Sequence, residues 1–329
     1  MSKNETVEPL LKERSILVTG GAGFIGSHLV DELLRRGHSV TVFDDLSSGI
    51  RENLVHHEQL TFVQGDVSNL NLVDRLVEHS DMVFHLAEYI PTTKSFGSGH
   101  VVKFSVDAPL RDFDVSTRGT LIVLNSAQKY CKKFVFTSTA AVYGESASLL
   151  KESSQPVPIS PYGVSKLCAE EYVRLYSRIY NLPTSIVRFF NVYGPRQLKY
   201  VMYDLSLRLK GNPAYIEMLG TGEEMRDFVY VSDAVKALLL VAQDEVATGE
   251  VYNVASGTQT RINELVDSML VLYGVHPEII FKGSSWKGDV KHLIGDISKI
   301  SSIGYQPEYS LTDGLKKFVK WFKQHEAKK

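Results

Sequence analysis

A run of glycines set between a short apolar segment and a helical one constrains this chain more than any other feature. Ser15-Ile-Leu-Val-Thr19 is apolar and reads as a buried strand. It runs into Gly20-Gly-Ala-Gly23-Phe-Ile-Gly26. Gly21, Gly23 and Gly26 fit G-x-G-x-x-G, and Gly20, Gly23 and Gly26 fit G-x-x-G-x-x-G. Phe24, Ile25, Leu29, Leu33 and Leu34 then fall on one side of a helix expected over Phe24 to Arg36, closed by Gly37. A strand that turns on glycines into a helix brings backbone N–H groups and a positive dipole end against a pyrophosphate. Such turns also occur without a ligand, so the acid at the end of the second strand carries the weight. Asp44 ends that strand, Ser39 to Phe43, about 20 residues beyond the glycines, where a ribose-binding acid belongs. A carboxylate there favours NAD, because it repels the 2′-phosphate of NADP; Asp45 follows, and no arginine comes before Arg51.

The rest of the chain repeats strand and helix. Leu60 to Gln64, Met82 to His85, Phe134 to Thr137 and Thr184 to Arg188 read as further strands, the later ones each after a helical stretch. This alternation predicts an α/β fold: a Rossmann-type, doubly wound parallel sheet with helices on both faces. After Asn191 the loops grow richer in Gly, Pro and charge, as in Gly211-Asn-Pro213 and Gly220-Thr-Gly222. A smaller C-terminal α/β substrate domain is expected over 191–228 and 256–329, with 15–190 and a return segment at about 229–255 forming the dinucleotide-binding domain. Val251 to Val254 is the strand expected to rejoin the first sheet. The last helix, Leu311 to Phe322, is amphipathic through Leu315, Phe318, Val319 and Phe322 and reads as packed, with a solvated basic face.

Composition excludes several classes. A formal net charge of -2 over 329 residues gives no electrostatic footprint for nucleic acid. Cys131 and Cys168 have neither metal-ligand spacing nor a disulfide framework, which points to a reducing, cytoplasmic setting and to no metal. The polar start, residues 1–14, has no apolar core of a signal peptide and is expected to be a mobile tail. The longest apolar stretch, around Ala237 to Ala242, is too short to span a bilayer, so no membrane partner is expected.

Ser160-Pro-Tyr162-Gly-Val-Ser-Lys166 carries the second signal. Ser160 suits an N-cap and Pro161 the first helical position. Tyr162 and Lys166 then share a helix face. A tyrosine hydroxyl titrates near pH 10 and is a poor base at neutral pH. An ammonium beside it, together with a positive nicotinamide ring, favours the phenolate. Tyr-x-x-x-Lys alone is common by chance. Here the strand at Phe134-Val-Phe-Thr-Ser138-Thr139 also delivers a hydroxyl, from Thr139 or Ser138, to the top of the sheet.

Taken together these segments resemble the NAD-dependent sugar-nucleotide epimerase/dehydratase family of the extended short-chain dehydrogenase/reductases, nearest the UDP-glucose 4-epimerases. The resemblance runs from about Ser15 almost to the C-terminus, through Asp44-Asp-Leu-Ser-Ser-Gly49, Asp66-Val67, His85-Leu-Ala87, Arg188-Phe-Phe-Asn191-Val-Tyr-Gly-Pro-Arg196, Arg226-Asp-Phe228 and Gly288-Asp289. It implies that Tyr162 is the acid/base, that Lys166 tunes it and holds the nicotinamide ribose, and that Thr139 bonds the sugar O4, with Ser138 beside it. It implies NAD contacts at Gly20, Gly23, Phe24, Ile25, Gly26, Asp44, Asp45, Ser47, Gly49, Asp66, Val67, Leu86, Ala87 and Phe189, besides Tyr162 and Lys166. Thr139, Tyr162, Asn191, Arg226, Asp289 and Leu293 are the implied substrate contacts, Leu293 at the position that limits pocket width. His85 is implied to be structural, and His28 is no more than a position on the first helix. The resemblance also implies a homodimer formed through helices at about Pro161 to Tyr180 and Leu110 to Tyr130.

Within the family, dehydratases usually follow the Ser/Thr with Asp-Glu, and decarboxylases usually keep the Glu. Here the two positions are Ala140 and Ala141. The implied reaction is therefore epimerisation at C4 of a nucleotide sugar, UDP-glucose/UDP-galactose or the N-acetylhexosamine equivalents, through a transient 4-keto intermediate with no net redox. The alternatives are another NAD-linked sugar-nucleotide enzyme, such as a ketoreductase or an epimerase of an amino or acidic sugar, and a non-catalytic NAD-binding protein. Four departures bear on the sugar and the nucleotide: Glu88 in place of a second Ala, a long stretch from Glu88 to Phe104, Ser116-Thr-Arg-Gly-Thr120 for Asn-Val-x-Gly-Thr, and Trp286 where an Arg is usual before Gly-Asp. None falls on the cofactor residues or the Tyr/Lys pair.

Overall fold

The computed structural model describes residues 14–89, 101–284 and 290–327. Trp286, Gly288, Asp289, the first thirteen residues and most of the expected loop after Glu88 lie outside them. The fold begins with β1 (Ser15–Thr19), α1 (Phe24–Arg35), β2 (Ser39–Asp44), β3 (Leu60–Gln64), α2 (Leu70–Glu78) and β4 (Met82–His85). It continues through α3 (Thr120–Tyr130), β5 (Lys133–Thr139), α4 (Pro161–Tyr180) and β6 (Thr184–Phe189). The strands expected from apolar runs appear, several one to three residues longer than the run itself, because the ladder extends into the flanking residues.

These strands form a parallel sheet in the order β3-β2-β1-β4-β5-β6, and β10 (Glu250–Val254) adds to the far edge beside β6. Val251 to Val254 thus does rejoin the first sheet. Val18 lies beside Val42 and Phe84 on one face and Leu17 beside Val83 on the other, so the central strands are apolar on both faces. One face packs on α1 and the helix Val231–Gln243, through Leu29, Val30, Leu33, Ala234 and Leu238. The other packs on α2, α3 and α4, through Val73, Val77, Val123, Ala169 and Val173. The strand order reverses between β1 and β4, which opens a crevice above their carboxyl ends.

The chain after β6 builds a second body against this crevice. β9 (Met225–Tyr230) is its centre, with β7 (Asn191–Tyr193) and β13 (His292–Leu293) parallel to it and β11 (Gln259–Arg261) antiparallel, while β8 (Tyr215–Met218) and β12 (Glu278–Phe281) form a separate parallel pair. The helices Tyr200–Leu209, Ile262–Tyr273 and Leu311–Glu326 cover it. In the last of these Leu315, Phe318, Val319 and Phe322 are buried while Lys316, Lys317 and Lys320 are exposed, so it is a packed helix with a solvated basic face. Among the described residues no helix is long and apolar enough to cross a membrane, no His/Cys/Asp/Glu group could hold a metal ion, and both cysteines are free.

A buried ion pair ties α4 to the sheet. Arg188 on β6 donates to both Glu170 oxygens at 2.9 and 2.6 Å, and both side chains are fully buried. The guanidinium also lies 4.7 Å over the Tyr143 ring, whose hydroxyl donates to Asn253 on β10 at 2.7 Å. Bidentate geometry offsets desolvation only while both partners are present. Glu170→Ala should therefore cost about 3–5 kcal/mol, read as a fall in the urea midpoint. Asp313→Ala, which removes an exposed pair with Lys316, should leave that midpoint nearly unchanged.

Candidate active site

The cleft starts at the glycine turn. Gly20 has φ +70°, and a Cβ on it would stand 2.8 Å from the Leu86 carbonyl carbon and the Ala87 nitrogen. A Cβ on Gly26 would stand 2.2 Å from the Gly20 oxygen. Glycine is needed at both, once for the left-handed turn and once for the close approach of helix to strand end. The N-terminus of α1 carries no side-chain cap, so the amides of Phe24, Ile25 and Gly26 are turned toward the cleft without a local acceptor. Asp44 accepts from the amides of Ala22 at 3.0 Å and Leu46 at 2.8 Å. It both braces the glycine turn and lines the cleft, and burial pushes its carboxyl above the usual range. The Asp that braces the turn and the Asp that lines the cleft are here one residue. These observations fit a dinucleotide: uncapped amides, a cradle that a Cβ would fill, and an acid at the end of β2.

The cleft has a volume of about 1260 Å³. Gly23, Asp45, Ser47, Asp66, Val67, Leu86, Ala87, Ser138, Thr139, Tyr162, Phe189, Asn191, Arg226 and Leu293 all line it with the glycine-turn residues and Asp44. Two expected contacts do not. Gly49 instead packs against Asp44, where a Cβ would meet the carboxylate at 2.7 Å. Lys166 sits beneath, 2% exposed, its ammonium 4.4 Å from the Phe136 ring centre. Asp66 is held by Arg111 at 3.0 Å, and Arg111 lines the cleft too. The register across β9 sets Leu293 beside Arg226 and Asn191 beside Phe228, which groups three of the five expected substrate residues that are described.

Tyr162 is delivered by the start of α4. Ser160 caps that helix by accepting from the Gly163 amide at 3.1 Å, and Pro161 follows. The Tyr162 amide donates to the Ser105 hydroxyl at 3.0 Å. Thr139 ends β5, accepts from the Ala141 amide at 3.1 Å, and meets the Tyr162 hydroxyl. Of the two hydroxyls expected there, Thr139 is the one that reaches the tyrosine; the Ser138 hydroxyl is buried with no partner among the described residues. Burial pushes the Tyr162 phenol well up, and the Glu88 carboxylate pushes it further. Burial lowers Lys166.

His85 is fully buried. Its Nδ1 lies 2.7 Å from the Thr19 hydroxyl and its Nε2 3.0 Å from the Thr120 hydroxyl, and burial, with Lys166 nearby, lowers it to about 3. His28 is more than a helix position: its Nε2 lies 2.9 Å from the Pro195 oxygen, tying α1 to the second body, and burial lowers it to about 4. Sequence reasoning passed over Arg196 and Tyr200, which line the cleft with φ +69° and +70°. Left-handed non-glycine residues tend to gather at functional sites. It also passed over Asp112, fully buried behind Lys166, with neither oxygen in a hydrogen bond of good geometry.

Burial, with Glu88 adding to it, raises the Asp112 carboxyl to about 6, while Ser165 and Lys166 pull it down. A folded value above the ordinary one means that the folded state holds this proton more tightly. Stability is therefore lost as pH rises from the usual carboxylate range through about 6. Asp112→Asn should stabilise the protein by roughly 1–3 kcal/mol at pH 8 and have little effect near pH 4. Urea titrations at both pH values check this; a loss at pH 8 would show the carboxylate to be paired with Lys166.

A profile of the NAD dependent epimerase/dehydratase family matches residues 16–255. The chain is 36% identical to the UDP-glucose 4-epimerase of Thermotoga maritima, solved with UDP-glucose; the alignment covers 95% of this chain and 99% of that one, with a TM-score of 0.86. It is 29% identical to the UDP-glucuronic acid 4-epimerase of Bacillus cereus, solved as a Tyr-to-Phe variant with NAD and a fluorinated UDP-glucuronic acid, covering 94% and 99% with a TM-score of 0.84. It is also 30% identical to a UDP-N-acetyl-alpha-D-glucosaminuronate decarboxylase of Bacillus cytotoxicus, over 95% of this chain and 99% of that protein.

Proposed function

The chain belongs to the NAD dependent epimerase/dehydratase family, and within that family we propose that it is a 4-epimerase of UDP-linked hexoses or N-acetylhexosamines. The observation that carries this reading is the turn beneath Tyr162. Thr139 meets the Tyr162 hydroxyl, and the next two residues, which also line the cleft, are Ala140 and Ala141. Proton transfer at a sugar hydroxyl has its residues there, and elimination has no acid at those two positions.

NAD, when bound, supplies the hydride acceptor and donor for C4 and a positive ring beside the phenol. Gly20, Gly23, Phe24, Ile25 and Gly26 hold its pyrophosphate, and Asp44 its adenosine ribose. Asp66 and Val67 flank the adenine, and Leu86, Ala87 and Phe189 line its path. Tyr162 takes the proton of the sugar 4-OH and later returns it. Lys166, beneath the cleft, favours the phenolate by its charge. Thr139 bonds the sugar O4, and Asn191 and Arg226 hold the diphosphate. The sugar becomes a 4-ketone, turns over and is reduced on its other face, so no net oxidation follows. The part of the chain that carries Asn191, Arg226 and Leu293, residues 191–228 and 256–329, is the sugar-nucleotide domain in this reading.

We further propose a homodimer. Leu110 is 81% exposed, and Phe113, Val164, Leu175, Ile179 and Tyr180 are exposed on the same group of helices. Exposed apolar surface of this extent on adjacent helices suits a self-complementary contact with a second copy. Sedimentation at micromolar concentration should give a dimer, and a monomer throughout would remove the proposal.

The reaction is tested with a panel of UDP-sugars, products being read by mass and NMR. The expected product has unchanged mass and inverted C4. Loss of water or of carbon dioxide would replace the epimerase reading with a dehydratase or a decarboxylase. Tyr162→Phe should lower kcat by at least about 100-fold while leaving fold and NAD content intact; a rate like that of the natural enzyme would take Tyr162 out of the mechanism.

A further inference from the structure

One acid in the cleft bears on the Tyr162 proton without being a group that carries it in the chemistry just described. Glu88 follows β4 by three residues and lines the cleft beside Tyr162. Its Oε1 is buried and accepts no hydrogen bond from a described residue. The carboxylate faces the hydroxyls of Tyr162 and Tyr200, the ammonium groups of Lys166 and Lys199, and the carboxyl of Asp112. Lys199 also lines the cleft. Burial lowers its ammonium to about 8, and Glu88 is the group that works against that fall. The charge of Lys199 is thus set against Glu88, and Lys166 lies under Tyr162.

A carboxylate accepts hydrogen bonds and donates none. A sugar hydroxyl or acetamide N–H that arrives at Oε1 satisfies it. A sugar carboxylate cannot donate, and it brings a second negative charge into a poorly solvated place where like charges repel strongly. The two lysines are already matched by the carboxyls of Glu88 and Asp112, so a further carboxylate is left without a balancing charge. We propose that Glu88 is a specificity-determining residue that accepts a hydrogen bond from neutral or N-acetylated sugars at the Tyr162 end of the cleft and rejects sugars that carry a carboxylate. This rests on the reading of the cleft as a nucleotide-sugar site.

The test is calorimetric binding to the NAD-loaded protein, with UDP, UDP-glucose and UDP-glucuronate as the three probes. The natural protein should bind UDP-glucose more tightly than UDP-glucuronate. Glu88→Gln keeps the shape and removes the charge. It should shift the ratio of the two dissociation constants at least about tenfold toward UDP-glucuronate, with UDP alone unchanged. Glu88→Ala should give a similar shift and bind UDP-glucose more weakly, since the acceptor is lost. A ratio that moves less than about twofold in both variants while UDP still binds, or equal affinity of the natural protein for both sugars, overturns the role of Glu88. Equal weakening of all three probes would show a structural role and overturns it as well. Failure of the natural protein to bind UDP would overturn the nucleotide-sugar reading, and the Glu88 role with it.

Discussion

The close approach of the first loop to the end of β4 governs the rest of the molecule. Gly20 passes so near Leu86 and Ala87 that a single methyl group would collide with their backbone. That contact lies at the point where the strand order reverses. It keeps the crevice floor flat and bare, and it leaves the amides at the start of α1 open to the cleft. Asp44 then reaches back and fixes the same turn through Ala22. Cofactor recognition and the packing of the central strands are in this way one constraint, and a larger residue at Gly20 would damage both.

The second body is set against this floor by polar ties rather than by a shared apolar core alone. His28 meets the Pro195 oxygen, and Arg196 pairs with Asp31 on α1 at 2.7 Å. On the other side of the sheet the Arg188–Glu170 pair fixes α4, and so the height of Tyr162 and Lys166 above β5. The site itself holds opposed electrostatic pulls. Burial and Glu88 keep the Tyr162 phenol protonated, whereas the Thr139 hydroxyl favours its ionised form. A hydroxyl poised between such influences responds to what binds next to it, which suits a group that must first take and then return one proton.

The features legible in the sequence are those set by local rules. The glycine turn, the apolar strands, the Ser160 cap and the four-residue step from Tyr162 to Lys166 each depend on neighbours close in the chain. The alternation of strand and helix then leaves few ways to arrange the sheet. What the sequence hid depends on residues far apart. Asp112 reads as an ordinary acid in a polar stretch, and only the packing of its helix on α4 buries it behind Lys166. Glu88 is visible as a departure from His-Leu-Ala-Ala, but its charged and phenolic neighbours come from three other segments. The left-handed backbone at Arg196 and Tyr200 has no glycine to announce it. His28 looked idle because its partner is a main-chain oxygen more than a hundred and fifty residues away.

The central claim is that the hydrogen on the sugar's C4 leaves and returns within one closed cleft, while only the hydroxyl proton passes through Tyr162. Incubation of the protein with UDP-glucose in D2O, with NMR of the recovered nucleotide sugars, tests this most directly. The account predicts UDP-galactose that carries protium at C4, formed without added reductant. Deuterium at C4 of the product, or no inverted product from any UDP-hexose, would contradict it.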